Sequence, residues 1–233
     1  MTAARTWRAL LLATPILYFA ALRPRLLGWG ASSKERREPL PGDDIVAARW
    51  QTTRGIDISA PAAEVWPWLV QMGYGRAGWY SYDWLERRVG AGEFAEGGSA
   101  KRVIPELQEL AVGDTVALSA AGGLTVAVLD PGSALVLHYR MNLFTAAPAH
   151  EPDPVVLDWT WTFVVISIDE ASSRLLVRVR ADYRPPWLRP LLPLLLEPVH
   201  FIMERKMLLT IERQTHHVRR RTDAVIANGG VPA

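Results

Sequence analysis

Cysteine is absent from the 233 residues, which excludes disulfides, thiolate metal sites and cysteine nucleophiles and leaves the redox compartment open. A dominant charge sign is lacking too. The formal net charge is +2, with basic residues scattered among acidic ones, so no nucleic-acid partner is expected. No serine elbow, phosphate loop, HExxH motif or internal repeat occurs, and neither a metal nor a cofactor is implied. Gly73, Gly75 and Gly78 spell G-x-G-x-x-G, but a dinucleotide site needs that motif between a strand and a helix. Here a helical pattern precedes it and aromatics follow, so the motif reads as a loop.

Long apolar runs are missing as well. Ala9–Leu22 is uncharged but has only fourteen residues, against the roughly 20 that a spanning helix needs. Arg5 and Arg8 precede it, and Arg23 and Arg25 follow. Counting Trp7 through Trp29, with the arginines snorkelling to headgroups, makes a membrane anchor the leading expectation. A helix packed on the protein and a signal peptide are the alternatives, although Tyr18 and Phe19 spoil the cleavage pattern. More basic residues follow the run than precede it, which would place a membrane-associated protein's main domain in the cytoplasm.

What is present is globular: 49% hydrophobic and 21% charged residues. The expected organisation is an apolar segment over 1–29, a polar linker over 30–52, one domain over 53–222 and a flexible tail over 223–233. Asp43 and Asp44, in the linker, read as solvated or capping. Thr53–Ser59 alternates as a strand. Pro61 opens a helix in which Val65, Trp68, Leu69 and Met72 recur at helical spacing, and Tyr82–Val89 reads as a second, with Ser81 as N-cap. Period two then takes over at Val116–Leu118, Leu124–Val128, Leu135–Arg140, Leu157–Val165 and Leu175–Tyr183, with another candidate strand at Lys101–Ile104. After Pro198 an apolar stripe marks a long final helix. A curved antiparallel sheet around that helix buries all these faces, an α+β architecture.

Ser59–Arg88 holds four of the ten tryptophans and three of the six tyrosines. Rings beside glycines suit a pocket wall and mouth. Asp83 and Glu86 lie three apart, and Asp83, between Tyr82 and Trp84, is the carboxyl expected to be shielded; an arginine ion pair is its plainer role. His200 and Glu204 share a helix face and read as a hydrogen-bonded pair rather than metal ligands. His138, Arg140 and Asp158 are solvated or cross-strand paired if their face lies outside, and cavity anchors if it lies inside. The residues leave both open.

Four segments carry a family resemblance: APxxEVWPWL at Ala60–Leu69, GYGRAGWYSYDWLE at Gly73–Glu86, HFIMERKML at His200–Leu208, and WGA with LPGDD between Trp29 and Asp44. With the order of elements, they resemble the SRPBCC (START-like, Bet v 1-like) superfamily over residues 29–220, and a bacterial branch of it in particular. The resemblance implies a helix-grip fold of about seven strands around the last helix, enclosing an apolar cavity. Relatives bind lipids, sterols or polyketides, and some are cyclases. The expected ligand contacts are Trp68, Met72, Tyr74, Trp79, Tyr80, Trp84, Trp159, Trp161, Met203 and Met207, with the Gly73–Gly78 loop and final helix gating entry. The expected function is binding or carrying a hydrophobic small molecule or lipid at a membrane. The alternatives are a polyketide cyclase/dehydrase-like enzyme using Asp83, Tyr80, Tyr82 or His200, and a membrane-anchored interaction module with no ligand.

Overall fold

The structure, a computed structural model, describes residues 18–188 and 192–227. Most of the expected anchor and the end of the expected tail therefore lie outside the described residues. Among those residues no helix is long and apolar enough to cross a membrane. A π-helical turn at Tyr18–Leu22 leads into a short α-helix, α1 (Arg23–Leu27). Then come β1 (Trp50–Ile58), α2 (Ala62–Val70), α3 (Asp83–Arg88), β2 (Thr115–Ser119), β3 (Gly122–Asp130), β4 (Ala134–Asn142), β5 (Val156–Ser167), β6 (Ser173–Arg184) and α4 (Leu192–Ala227).

The sheet is antiparallel throughout, in the order β1-β6-β5-β4-β3-β2. Strands β2 to β6 form a meander, and β1 closes onto β6. Period-two alternation decides which face is buried. Leu137, Trp161 and Val179 lie in register across β4, β5 and β6. They and their same-face neighbours turn inward, where Met207, Leu208 and Ile211 of α4 complete the core. Each such side chain, fully buried, contributes about 1.5–3 kcal/mol. This is a helix grip with six strands rather than seven.

The missing strand is Lys101–Ile104. Its backbone is claimed by the buried Gln71 side chain, which donates to the Arg102 carbonyl (3.1 Å) and accepts from the Ile104 N–H (2.8 Å). Pro105 follows with no N–H, so no ladder extends there. Helix α4 also begins before Pro198 and carries that proline inside it. Pro193 falls in the first turn, where no intrahelical N–H bond is required. Tyr82, not Ser81, occupies the N-cap position of α3.

Residues 30–49, expected to be a linker, are turn-rich as their proline and glycine content dictates, and they cross the outer face of the sheet. Arg178 of β6, 2% exposed, fastens them: it donates to the Glu35 and Glu38 carbonyls and pairs with Asp43. Arg174 adds Glu35 and the Gly30 carbonyl. Asp43 thus caps Leu40 N–H, as the sequence suggests, but is also an ion-pair partner instead of a solvated carboxylate. Gly42, at φ +79, lets this strap approach Val136; a Cβ there would stand 2.5 Å from it.

Candidate functional site

Two adjacent hollows lie between the inner face of the sheet and α4, of about 250 and 280 Å³. They share Trp159, His200 and Met203. The inner lobe is walled by Trp79, Trp161 and Met207, and the outer lobe by Trp50, Leu157, Tyr183 and Val199. Local structure explains the convergence. Trp159 and Trp161 are two apart on a strand and so share a face, while positions 199, 203 and 207 recur along one face of a helix. Trp79 stacks on Trp161 at 5.3 Å and 24°, and Trp159 tilts against Trp161 at 5.9 Å.

The wall of the inner lobe has a polar edge. Arg54 of β1, 0% exposed, pairs with Glu204 of α4, 2% exposed. Glu204 also accepts from Trp161 Nε1 at 3.0 Å, and Arg54 Nε donates to the Leu26 carbonyl at 2.8 Å. Arg54 Nη1 lies 3.0 Å from His200 Nδ1. A guanidinium has only donors, so Nδ1 accepts and the neutral ring carries its proton on Nε2. Burial and the Arg54 charge hold the His200 pKa down to about 4, against the pull of Glu204 and Glu197. The His200 side chain keeps 28% accessibility and lines both hollows. His200 and Glu204 are indeed neighbours, at 3.7 Å, but Arg54 joins them, and among the described residues no group of three potential metal ligands exists.

A second buried carboxylate, Glu197, lies two turns before Glu204 on α4. Arg23 grips it in bidentate fashion at 2.8–3.1 Å, and Trp50 Nε1 and Tyr18 Oη donate to it at 2.6 and 3.2 Å. The described part of the apolar N-terminal segment is therefore packed on the domain.

Of the ten expected ligand contacts, Trp79, Trp159, Trp161, Met203 and Met207 line the inner lobe together. Trp68 and Met72 are core residues behind it, Trp68 edge-on to Tyr80 at 5.8 Å. Tyr80 is buried and accepts from Gln71 Nε2 at 2.7 Å; burial raises its pKa. Tyr74 is half-exposed, its backbone bound to Ala117, and Trp84 is 65% exposed. The glycine loop is tied shut by reciprocal Gly73–Gly78 backbone bonds of 3.1 and 3.2 Å. His138 and Asp158 pair at 2.8 Å on the outer face.

The shielded carboxyl of α3 is Glu86 rather than Asp83. Asp83 is half-exposed and accepts from Ser99 N and Oγ. Glu86 is 0% exposed; Oε1 takes the Ser81 N–H at 3.0 Å, and Oε2 has no partner among the described residues. Burial pushes its pKa up to about 7. Sequence spacing flagged both acids, but only the docking of α3 decides which one turns inward.

Beyond Ser81, which lines both spaces, lies a groove of about 580 Å³ between α3, the 99–101 segment and α4. Tyr80, Tyr82, Asp83 and Trp84 line it with Arg87, Lys101, Lys206 and Arg213. Lys206 sits over the Tyr82 ring at 5.7 Å.

This is the helix-grip architecture that the resemblance implies. No family model matches the chain, and no curated protein matches it. Solved structures do. A conserved protein from Geobacillus kaustophilus is 12% identical, with 72% of this chain and 96% of that one covered and a TM-score of 0.40. A truncated norcoclaurine synthase from Thalictrum flavum gives 14%, 70%, 91% and 0.36, and an aromatase/cyclase from a Streptomyces species 12%, 78%, 99% and 0.30. At these values they carry no functional argument, and the fold assignment rests on the topology above.

Proposed function

We propose that this chain binds an apolar small molecule or lipid in the two-lobed cavity and acts as a carrier. The observation that carries this reading is the tryptophan stack facing Met203 and Met207 across the hollow. Together the lobes fall within the roughly 300–1,000 Å³ usual for small-molecule sites. Apolar surface removed from water there contributes about 25 cal/mol per Å², before the costs of association. The polar groups at the wall are already engaged: Arg54 occupies His200 Nδ1, and Glu204 is held by Arg54 and Trp161. That arrangement orients a ligand better than it moves protons. The enzymatic alternative lacks such support: burial pushes the Glu86 carboxyl up to about 7, a value that suits a general acid, but its side chain is fully buried and lines neither the hollows nor the groove.

A membrane location extends the proposal. Leu195, Val199 and Ile202 of α4, Trp187 before it, and Phe19 and Leu22 are all exposed, and Val199 also lines the outer lobe. Apolar surface at a cavity mouth suits loading from a bilayer. Co-sedimentation of the full chain with vesicles checks it, and a chain left in the supernatant rejects it.

The binding test uses the neutral fluorophore N-phenyl-1-naphthylamine with the full chain. Met203→Trp, at the junction of the lobes, is expected to weaken binding at least about tenfold without lowering the melting temperature. No binding by the wild type, or equal binding by the variant, refutes the proposal.

A further inference from the structure

Resting on that binding proposal, we infer that the ligand is an anionic amphiphile, its carboxylate or phosphate head in the groove beyond Ser81 and its chain in the cavity. Arg87, Lys101, Lys206 and Arg213 line the groove against one carboxylate, Asp83. None of the four cations has an ion-pair partner among the described residues, whereas the buried Arg54 and Arg178 and the half-buried Arg23 are all paired. Lys206 is half-buried, so its charge is less screened than on an open surface. Unpaired cations in a concave site repel one another and raise the local concentration of anions. Asp83, hydrogen-bonded by Ser99 N and Oγ, offsets only one of the four charges and leaves the groove net positive.

The groove adjoins the cavity rather than standing apart from it. Ser81 lines both, and its Oγ, in a residue 8% exposed, has no hydrogen-bond partner among the described residues. Helix α4 sets the order: Val199 lines the outer lobe, Met203 both lobes, Met207 the inner lobe, and Thr210 and Arg213 the groove. From Val199 to Arg213 is about 21 Å along the helix at its usual rise, the scale of a long acyl chain. One end of that line is apolar and the other cationic. A neutral ligand would leave the basic end unused, and a small free anion would leave the cavity unused.

The test compares cis-parinaric acid with its methyl ester on the full chain at low salt. The acid is expected to bind at least about tenfold more tightly, with the preference falling as salt rises. In Lys206→Gln/Arg213→Gln, both on solvent-accessible positions, the ester's affinity stays unchanged and the preference shrinks to below about threefold. Dodecanoate or dodecyl phosphate displaces the probe, the tighter of the two naming the head group, and dodecyltrimethylammonium does not. Equal binding of acid and ester overturns the inference and leaves the cavity proposal standing. A preference that survives in the double variant, or displacement by the cation, also overturns it. Failure of both probes to bind removes the binding proposal and this inference with it.

Discussion

Glu86 makes the fold sensitive to alkali in a way that one substitution can remove. Its carboxyl titrates near pH 7 in the folded chain and at an ordinary 4.5 when unfolded, because burial disfavours the charged form more than the Ser81 and Trp79 backbone N–H groups stabilise it. A folded-state pKa above the unfolded one means that this stabilising contribution is complete below pH 4.5. It is lost as pH rises through 7. The gap of 2.5 units corresponds to about 3 kcal/mol. Glu86→Gln keeps an acceptor for Ser81 N–H and puts an amide where the unpartnered Oε2 lies, so no charge forms at any pH. Urea denaturation followed by circular dichroism at pH 4.5, 6, 7 and 8 reads the effect. Wild type and variant are expected to be similar in stability at pH 4.5. At pH 8 the variant is expected to be more stable by up to about 3 kcal/mol, or roughly 6–12 °C in melting temperature for a chain of this size. Identical pH profiles would refute the assignment of Glu86 as the buried, pKa-shifted acid.

Other parts of the structure give further expectations. Arg54→Leu strands Glu204 in the core and is expected to cost about 3–5 kcal/mol in urea denaturation, with Arg54→Leu/Glu204→Leu costing less than the single change. His200 has the opposite sign to Glu86: its folded pKa of about 4 lies below the ordinary 6.5, so its contribution is present above pH 6.5 and lost as pH falls toward 4. His200→Gln should flatten that acid limb in the same denaturation series. Arg178→Ala releases the strap, and limited trypsin digestion is expected to cut at Lys34, Arg36 and Arg37 much faster than in wild type. At Gly78, φ is +79 and a Cβ would stand 2.7 Å from the Phe94 ring, so Gly78→Ala is expected to cost at least about 1–2 kcal/mol in thermal melts.

The strands of this protein are legible because their alternation is local. Asp158, Thr160 and Thr162 interleave Leu157, Trp159, Trp161 and Phe163 visibly, and Asp130–Ser133 closes the β3–β4 turn as its composition suggests. Trp159, Trp161, Met203 and Met207 followed from the same periodicities. What stayed hidden depends on long-range docking. Arg54 and Glu204 are 150 positions apart, and nothing local says that either is buried. The strand expected at Lys101–Ile104 failed because a distant glutamine, Gln71, took its backbone groups. The strap left a trace that could have been read: Arg174, Arg178 and Arg180 repeat on one face of a strand, while Glu35 and Asp43 stand in a polar stretch with no obvious partners. An arginine column on a sheet face asks for carboxylates and carbonyls to cover it.

The Glu197 knot bears on where this protein can be cut. A fragment beginning at the strap looks natural, since it discards an apolar segment that complicates handling. It would also discard Tyr18 and Arg23, which help to enclose the Glu197 carboxylate, and leave it with Trp50 Nε1 as its one remaining described donor. An uncompensated buried charge costs several kcal/mol, enough to consume much of a domain's net stability. The shortest durable fragment therefore starts no later than Tyr18. What reads as a dispensable leader is, from that residue on, part of the machinery that keeps α4 seated.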